Sequence, residues 1–365
     1  MNRLCCLQKG VLMSQSQIRR MGALAGMAVG LSGIPVHDSV AQGCEPIRFT
    51  TPNTGMPGGP IHQAHQWRVT LGYRYLYSDQ WFVGSSEASG QAPGGRSPLI
   101  RTHTLVADVE YAVSNRLAVH AAVPFSTGKI RRVYPLYDTN LHQQTANGIG
   151  DAGVSAELWM LDPGTHQAGN FALGGGIQLP TGTNDIAGTW YTASGPVQGA
   201  ADGSIQPGSG GWGFTLQGRG FVKIVARTFG YLGASYTLTP QAHSDVRWKP
   251  ADSLWAIADG YSARAGLAHT LLPNAGLSLS LGGRIDGTPV HDVFGGGDEA
   301  YRRPGNVIYV DPGIALNRGK NSVDLNVPVR LHANRLKNEL EQQSGTLNGG
   351  GFAKALIFLS YSRRL

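Results

Sequence analysis

The chain has 365 residues, of which 15% are charged, with 52 glycines and a formal net charge of +7. Beyond the leader it contains no apolar run of the ~18 residues that a membrane-spanning helix needs, so a helical membrane protein is not expected. Three cysteines are too few for a disulfide scaffold. Part of the positive charge lies in the leader, so the basic balance is no argument for nucleic-acid binding.

The N-terminus reads as a secretory signal over 1–41. Arg19 and Arg20 form a basic region, an apolar stretch runs from Met21 to Val36, and Ser39-Val40-Ala41 is a small-residue cleavage site. Met13 is an alternative start to Met1. The arginine pair also fits a twin-arginine signal, but that route carries folded cargo. Cleavage removes Cys5 and Cys6 and leaves Cys44, a lone thiol in a poor lipidation context. Residues 42–66 are rich in Pro and Gly and show no period, which reads as an irregular periplasmic arm. His62 and His65 lie in this arm and read as polar linker rather than metal ligands.

From Trp67 onward the chain alternates. Trp67, Val69, Leu71, Tyr73, Tyr75 and Tyr77 take every second position, with Arg68, Thr70, Gly72 and Arg74 between them. Successive strand side chains point to opposite faces, so one face is apolar and the other polar. The pattern recurs near 104–113, 117–125, 151–160, 171–179, 212–223, 228–238, 261–271, 275–286, 307–316, 322–332 and 352–362. The connections alternate in length. Short ones include Ser114-Asn115-Arg116 and Leu272-Pro273-Asn274; long ones, mostly about 15–30 residues, include 182–211. The pattern predicts an all-β fold over 67–365: a transmembrane antiparallel barrel of about 12 strands, with short periplasmic turns, long outer loops and both termini inside.

Charge follows the same phase. The apolar phase of these stretches, from Trp67 to Tyr361, holds no Asp, Glu, Lys or Arg. The opposite phase carries Arg68, Arg74, Arg219, Lys223, Arg264, Arg284, Arg330 and Lys354, with Asp108, Glu110, Asp151, Glu157, Asp286, Asp311 and Asp324. A Lys or Arg at the lipid midplane costs roughly 2–4 kcal/mol. The charged phase is therefore expected to line the lumen. The seventh stretch carries no charge in either phase, which leaves its orientation open. Trp67, Tyr111 and Tyr361 fall where a periplasmic aromatic girdle belongs, and Tyr75 and Tyr77 where the outer one does. The amphipathic end Ile357, Leu359, Tyr361, Arg363, Leu365 is the type of terminal strand that barrel-assembly machinery reads.

Three segments resemble a family of outer-membrane proteins named for the meta-cleavage pathway of phenol degradation: Gly148-Ile149-Gly150-Asp151-Ala152-Gly153, Leu179-Pro180-Thr181-Gly182-Thr183 and Pro207-Gly208-Ser209-Gly210-Gly211-Trp212-Gly213. The resemblance covers the middle third of the chain. It implies an outer-membrane barrel with a role in uptake of aromatic compounds. Gly150 and Asp151 also read simply as a loop-to-strand bend.

The expected function is a channel or transporter-like barrel for small molecules in the outer membrane of a Gram-negative bacterium. Arg219, Lys223, Arg264, Arg284 and Arg330 are candidates for an anion-favouring wall. A salt-bridge lattice that only stiffens the barrel explains the same charges. Long loops such as 182–211 are able to fold inward as a constriction. The alternative is a non-conducting structural or adhesin-like barrel acting through its outer loops. Gly295-Gly296-Gly297-Asp298-Glu299 offers too few oxygens for a dedicated calcium site. An enzyme is not expected: a barrel lipase needs His and Ser two apart on one lipid-facing strand, and the only such pair is His37 and Ser39 in the leader. No cofactor is expected, since no phosphate loop, zinc-type cysteine set or nucleic-acid motif is present. The partners expected are outer-membrane lipid, the assembly machinery and a small solute.

Overall fold

The computed structural model describes residues 63–250, 252–295, 299–345 and 348–365. The leader and all of the arm before residue 63 lie outside the described residues, as does most of the 295–299 glycine segment.

Twelve antiparallel strands form the wall: β1 (Trp67–Ser78), β2 (Leu99–Ala112), β3 (Leu117–Arg132), β4 (His142–Ile149 and Gly153–Trp159), β5 (Gly169–Gln178), β6 (Gly213–Val225), β7 (Thr228–Leu238), β8 (Gly260–Leu272), β9 (Leu277–Thr288), β10 (Gly305–Arg318), β11 (Asn321–Asn326 and Val329–Arg335) and β12 (Ala355–Arg364). Each strand pairs with its neighbours in sequence. β1 pairs with β12 from Arg68↔Arg364 to Tyr77↔Ala355, which closes the sheet. Closure satisfies the edge N–H and C=O groups that would otherwise stand unpaired in lipid.

Alternation explains the two faces. Leu71, Leu105, Phe125, Leu173, Leu216, Leu232 and Leu281 are all exposed on the outer surface, while Thr70, Thr104, Asp108, Glu110 and Ser280 between them are buried. Ten residues separate Trp67 from Tyr77; at ~3.3 Å each and ~40° tilt they span about 25 Å, the height of a barrel's apolar band. β7 presents Leu232 outward and buries Tyr231, which fixes the orientation that its sequence left open.

Strand lengths depart from the expectation on one flank. β2, β3 and β4 run farther outward than 104–113, 117–125 and 151–160, so the connection after β3 is only 133–141. β4 also carries a bulge. Ala122 pairs with Gly153 and Phe125 with Ile149, so Val123 and Pro124 face three residues, Gly150 to Ala152. One extra residue reverses the phase: both Ile149 and Val154 are exposed outward, although their numbers differ in parity. Gly150 is needed there, because a Cβ would lie 2.9 Å from both Pro124 and the Pro207 carbonyl. β11 is interrupted at Val327 and Pro328, where Pro328 has no N–H to donate to the ladder.

Candidate functional site: a two-tiered lumen closed by loops

The lumen wall is charged and paired from the short turns up to Asp286, which stands opposite Val307 on the neighbouring strand. Arg68 lies 3.2 Å from Glu110, Arg219 2.5 Å from Glu157, Arg284 2.8 Å from Asp286 and Arg264 3.5 Å from Asp311. His120 sits between Asp108 and Glu110, at 3.6 and 3.8 Å. The arginines also lie over aromatic rings. Arg219 is 5.1 Å from Trp159, Arg264 5.0 Å from Tyr231 and Arg284 4.6 Å from Phe358. A guanidinium held by a carboxylate and a ring has little freedom to meet a solute.

The residues picked out from sequence divide accordingly. Arg74, Asp108, Glu110, Glu157, Arg219, Arg264, Arg284, Asp286 and Asp324 stand on the inward phase of their strands, buried or half-buried. Arg330 lies higher, donating to the Phe352 carbonyl and to Gln80 and covering the Phe82 ring at 4.6 Å. Lys223 is exposed near the short-turn rim, and Lys354 is exposed just ahead of β12. Neither joins the paired lattice. Asp151 is fully buried but serves the backbone. It accepts from the Ser209 N–H and hydroxyl at 2.7 Å each, from the Gly182 N–H at 3.0 Å and from Gln178 at 2.8 Å. It pins both ends of the 179–212 connection to the β4 bulge.

The outer half also holds an apolar cluster, which the sequence reading missed. Inward-facing Leu76, Ile100, Ile130, Val307, Tyr309 and Leu356 pack with Phe82, Ile205, Phe352 and Ala353 from the loops. These loop residues carry no periodic signal, so only their meeting in space reveals a core. Ile205 is 2% exposed and rests on Gly128, where a Cβ would sit 2.6 Å from the Ile205 side chain. The loop 179–212 is thus folded into the barrel.

Asp202 holds it there. Its carboxylate takes two hydrogen bonds from Arg303 (2.9 and 2.8 Å) and one from Arg132 (2.6 Å), and the Ser204 hydroxyl and N–H at 2.6 and 3.0 Å. The Asp202 N–H donates to Gln144 at 3.1 Å. Burial alone would raise the carboxyl pKa, but Arg303 and Arg132 outweigh it and hold the group well below the usual carboxylate value. Similar ties join the other outer loops: Arg302 to Asp292 at 2.8 Å twice, and Arg335 to Glu341 at 2.8 Å. A cavity of about 80 Å³ lies between the inserted loop and the outer ends of β7 to β9, lined by Gln206, Ser209, Thr239, Trp255, Ile257 and Asp259 among others.

No family model matches the chain, and no curated protein matches it in sequence. Among solved structures, the COG4313 outer-membrane channel of Pseudomonas putida F1 is similar, with a TM-score of 0.59 at 12% identity over 83% of this chain and 97% of that one. A FadL homologue of Pseudomonas aeruginosa gives 0.42 at 11% identity, over 84% and 96%. The CymD monoaromatic hydrocarbon channel gives 0.43 at 9% identity, over 86% and 94%. The fold is that of a twelve-stranded outer-membrane β-barrel.

Proposed function

We propose that this barrel takes up small, uncharged hydrophobic molecules, aromatic hydrocarbons among them, through the outer membrane. One observation carries the reading: inward-facing wall residues and inserted loops form a packed apolar cluster in the outer lumen, beside the loop ion pairs. A porin for ions or sugars has a polar wall at that level. Here an apolar solute exchanges loop contacts for its own, while a hydrated one must shed water. The similar fold of an outer-membrane channel agrees with passage. The segments around Gly150, Gly182 and Gly208 support the finer placement among barrels of the phenol meta-pathway type. We assign Arg74, Asp108, Glu110, Glu157, Arg219, Arg264, Arg284, Asp286 and Asp324 to the lumen wall below and beside that cluster, and 1–41 to a cleaved signal. The β12 strand is read as the segment recognised by the assembly machinery.

A non-enzymatic role fits the lipid-facing histidines. His103 Nδ1 meets the Tyr73 hydroxyl at 2.8 Å and His269 Nδ1 meets Thr228 at 2.9 Å. Among the described residues, neither pair has a third, orienting carboxylate at the histidine. Titration of refolded protein with a naphthalene-type fluorescent probe tests the reading. Saturable binding, displaced by toluene and lost in Ile130→Asp, is the expected result. Absence of binding to a folded barrel would favour the structural or adhesin-like alternative.

A further inference from the structure

The outer ends of β2, β3 and β4 carry positive charge on the face that points away from the lumen. The outward residues run in register rows across the three strands. Leu105, Phe125 and Ile149 make the last apolar row. His103, Thr127 and Asn147 make the next, followed by Arg101, Lys129 and Thr145, then Leu99, Arg131 and Gln143. Arg101, Lys129 and Arg131 are exposed.

Arg101 and Lys129 are direct cross-strand partners, an arrangement that is destabilising by repulsion when nothing negative lies between the two. Among the described residues no carboxylate pairs with any of the three. Arg101 rests instead over the Tyr77 ring at 5.1 Å. Tyr75 and His103 pack at 4.9 Å beside it. The opposite flank of the wall differs near its outer ends. On β6 to β10, Phe214, Tyr236, Tyr261, Ile285 and Ile308 are outward-phase residues near the outer strand ends, and none is charged; His332 on β11 pairs with Ile308.

Height decides what meets this cluster. Arg101 pairs with Tyr77, at the outer edge of the roughly 25 Å apolar band. That plane holds the headgroups of the outer leaflet, whose main glycolipid carries phosphates on a diglucosamine core. Arginine forks match phosphate oxygens bidentately, and lysine adds a point charge. Tyrosines suit the same interfacial plane.

We propose that Arg101, Lys129 and Arg131, bordered by Tyr77 and His103, bind the phosphorylated diglucosamine headgroup of outer-leaflet lipopolysaccharide. The site lies on the outer wall and does not depend on the uptake reading. A bound headgroup neutralises the three cations and anchors the tall β2–β4 flank in the leaflet.

The test uses the full mature chain, refolded in detergent micelles and titrated with bisphosphorylated lipid A, dephosphorylated lipid A, phosphatidylglycerol and inorganic phosphate. Wild type is expected to bind bisphosphorylated lipid A tightest. The triple variant Arg101→Ala, Lys129→Ala, Arg131→Ala is expected to bind it roughly 100-fold more weakly, at about fivefold per cation. Arg131→Glu alone, a change at an exposed site, moves binding in the same direction and covers failure of the triple variant to fold. Arg318→Ala, Lys320→Ala, Arg363→Ala, at the opposite rim, is the charge-matched control and is expected to leave binding unchanged. Heat-modifiable mobility on gels reports folding of each variant. Three results would each overturn the proposal: cluster variants that bind within about threefold of wild type, equal loss in the control, or equal binding of phosphatidylglycerol or inorganic phosphate by wild type.

Discussion

Replacing Asp202 by Asn should release the loop that fills the outer lumen without unfolding the barrel. The substitution keeps shape but removes the charge that Arg132 and Arg303 share. Breaking a buried ion pair by removing one partner costs about 3–5 kcal/mol, because the other charge stays buried. The wall is held by ladders that do not involve residue 202, so the loss falls on the local equilibrium between inserted and released loop. At about 1.4 kcal/mol per tenfold, the released fraction rises by a factor of roughly 100 to several thousand. The assay places a thiol at Ile205, which is 2% exposed, after Cys5, Cys6 and Cys44 are changed to Ser. Labelling by a polar maleimide then reports the open fraction. Ile205→Cys with Asp202→Asn should label at least about a hundredfold faster than Ile205→Cys alone. Equal rates in two folded proteins would refute the latch. The pH sign is also fixed. The depressed carboxyl pKa means the latch is fully present above the ordinary Asp value of ~3.9 and is lost only as pH falls well below it. Labelling of the Asp202 protein should therefore show no loop release between about pH 5 and 8.

Asp151→Ala leaves the buried N–H groups of Gly182 and Ser209 without their acceptor and should cost about 2–4 kcal/mol, read as a lower denaturant midpoint in micelles. Asp151→Asn should recover part of that loss. Burial pushes Lys249 down to about 8, so its reactivity toward an amine reagent should have its midpoint near there rather than near the ~10.4 of a free lysine. The sign follows: burying the charged form opposes folding below that pH, and the penalty fades as pH rises through it. A midpoint near 10 would contradict burial of Lys249 against the Trp248 ring, whose centroid lies 3.5 Å from Nζ. Arg219→Ala with Arg284→Ala strands Glu157 and Asp286 in the lumen, so planar-bilayer recordings should shift toward cation selectivity. Unchanged selectivity would place those side chains off any conducting path.

Strand number, closure and the apolar outer face were legible because one rule, side-chain alternation, acts along every strand. Where that rule is broken locally, the reading failed. The extra residue in β4 at Gly150 to Ala152 reverses the phase, and the outer extension from His142 to Ile149 became invisible. In β3, Thr127, Lys129 and Arg131 face outward above the apolar band, where lipid no longer demands apolar side chains. The charged lumen positions were legible for the same periodic reason, but their pairing was not. Arg219 meets Glu157 from two strands away, across β5, a relation set by barrel geometry and not by spacing. Least visible was the apolar cluster in the outer lumen. Phe82, Ile205 and Phe352 come from three loops without period, and Gly128 matters only because Ile205 lies against it.

Uptake of a radiolabelled monoaromatic hydrocarbon by Gram-negative cells lacking their own general porins tests the central claim most directly. Cells expressing the wild-type barrel should take up the hydrocarbon several-fold faster than cells without it. Ile130→Asp, which puts a charge in the apolar cluster, should abolish the gain at equal surface expression, and uptake of a small sugar should not change in either. Faster sugar uptake with no change for the hydrocarbon would contradict the account.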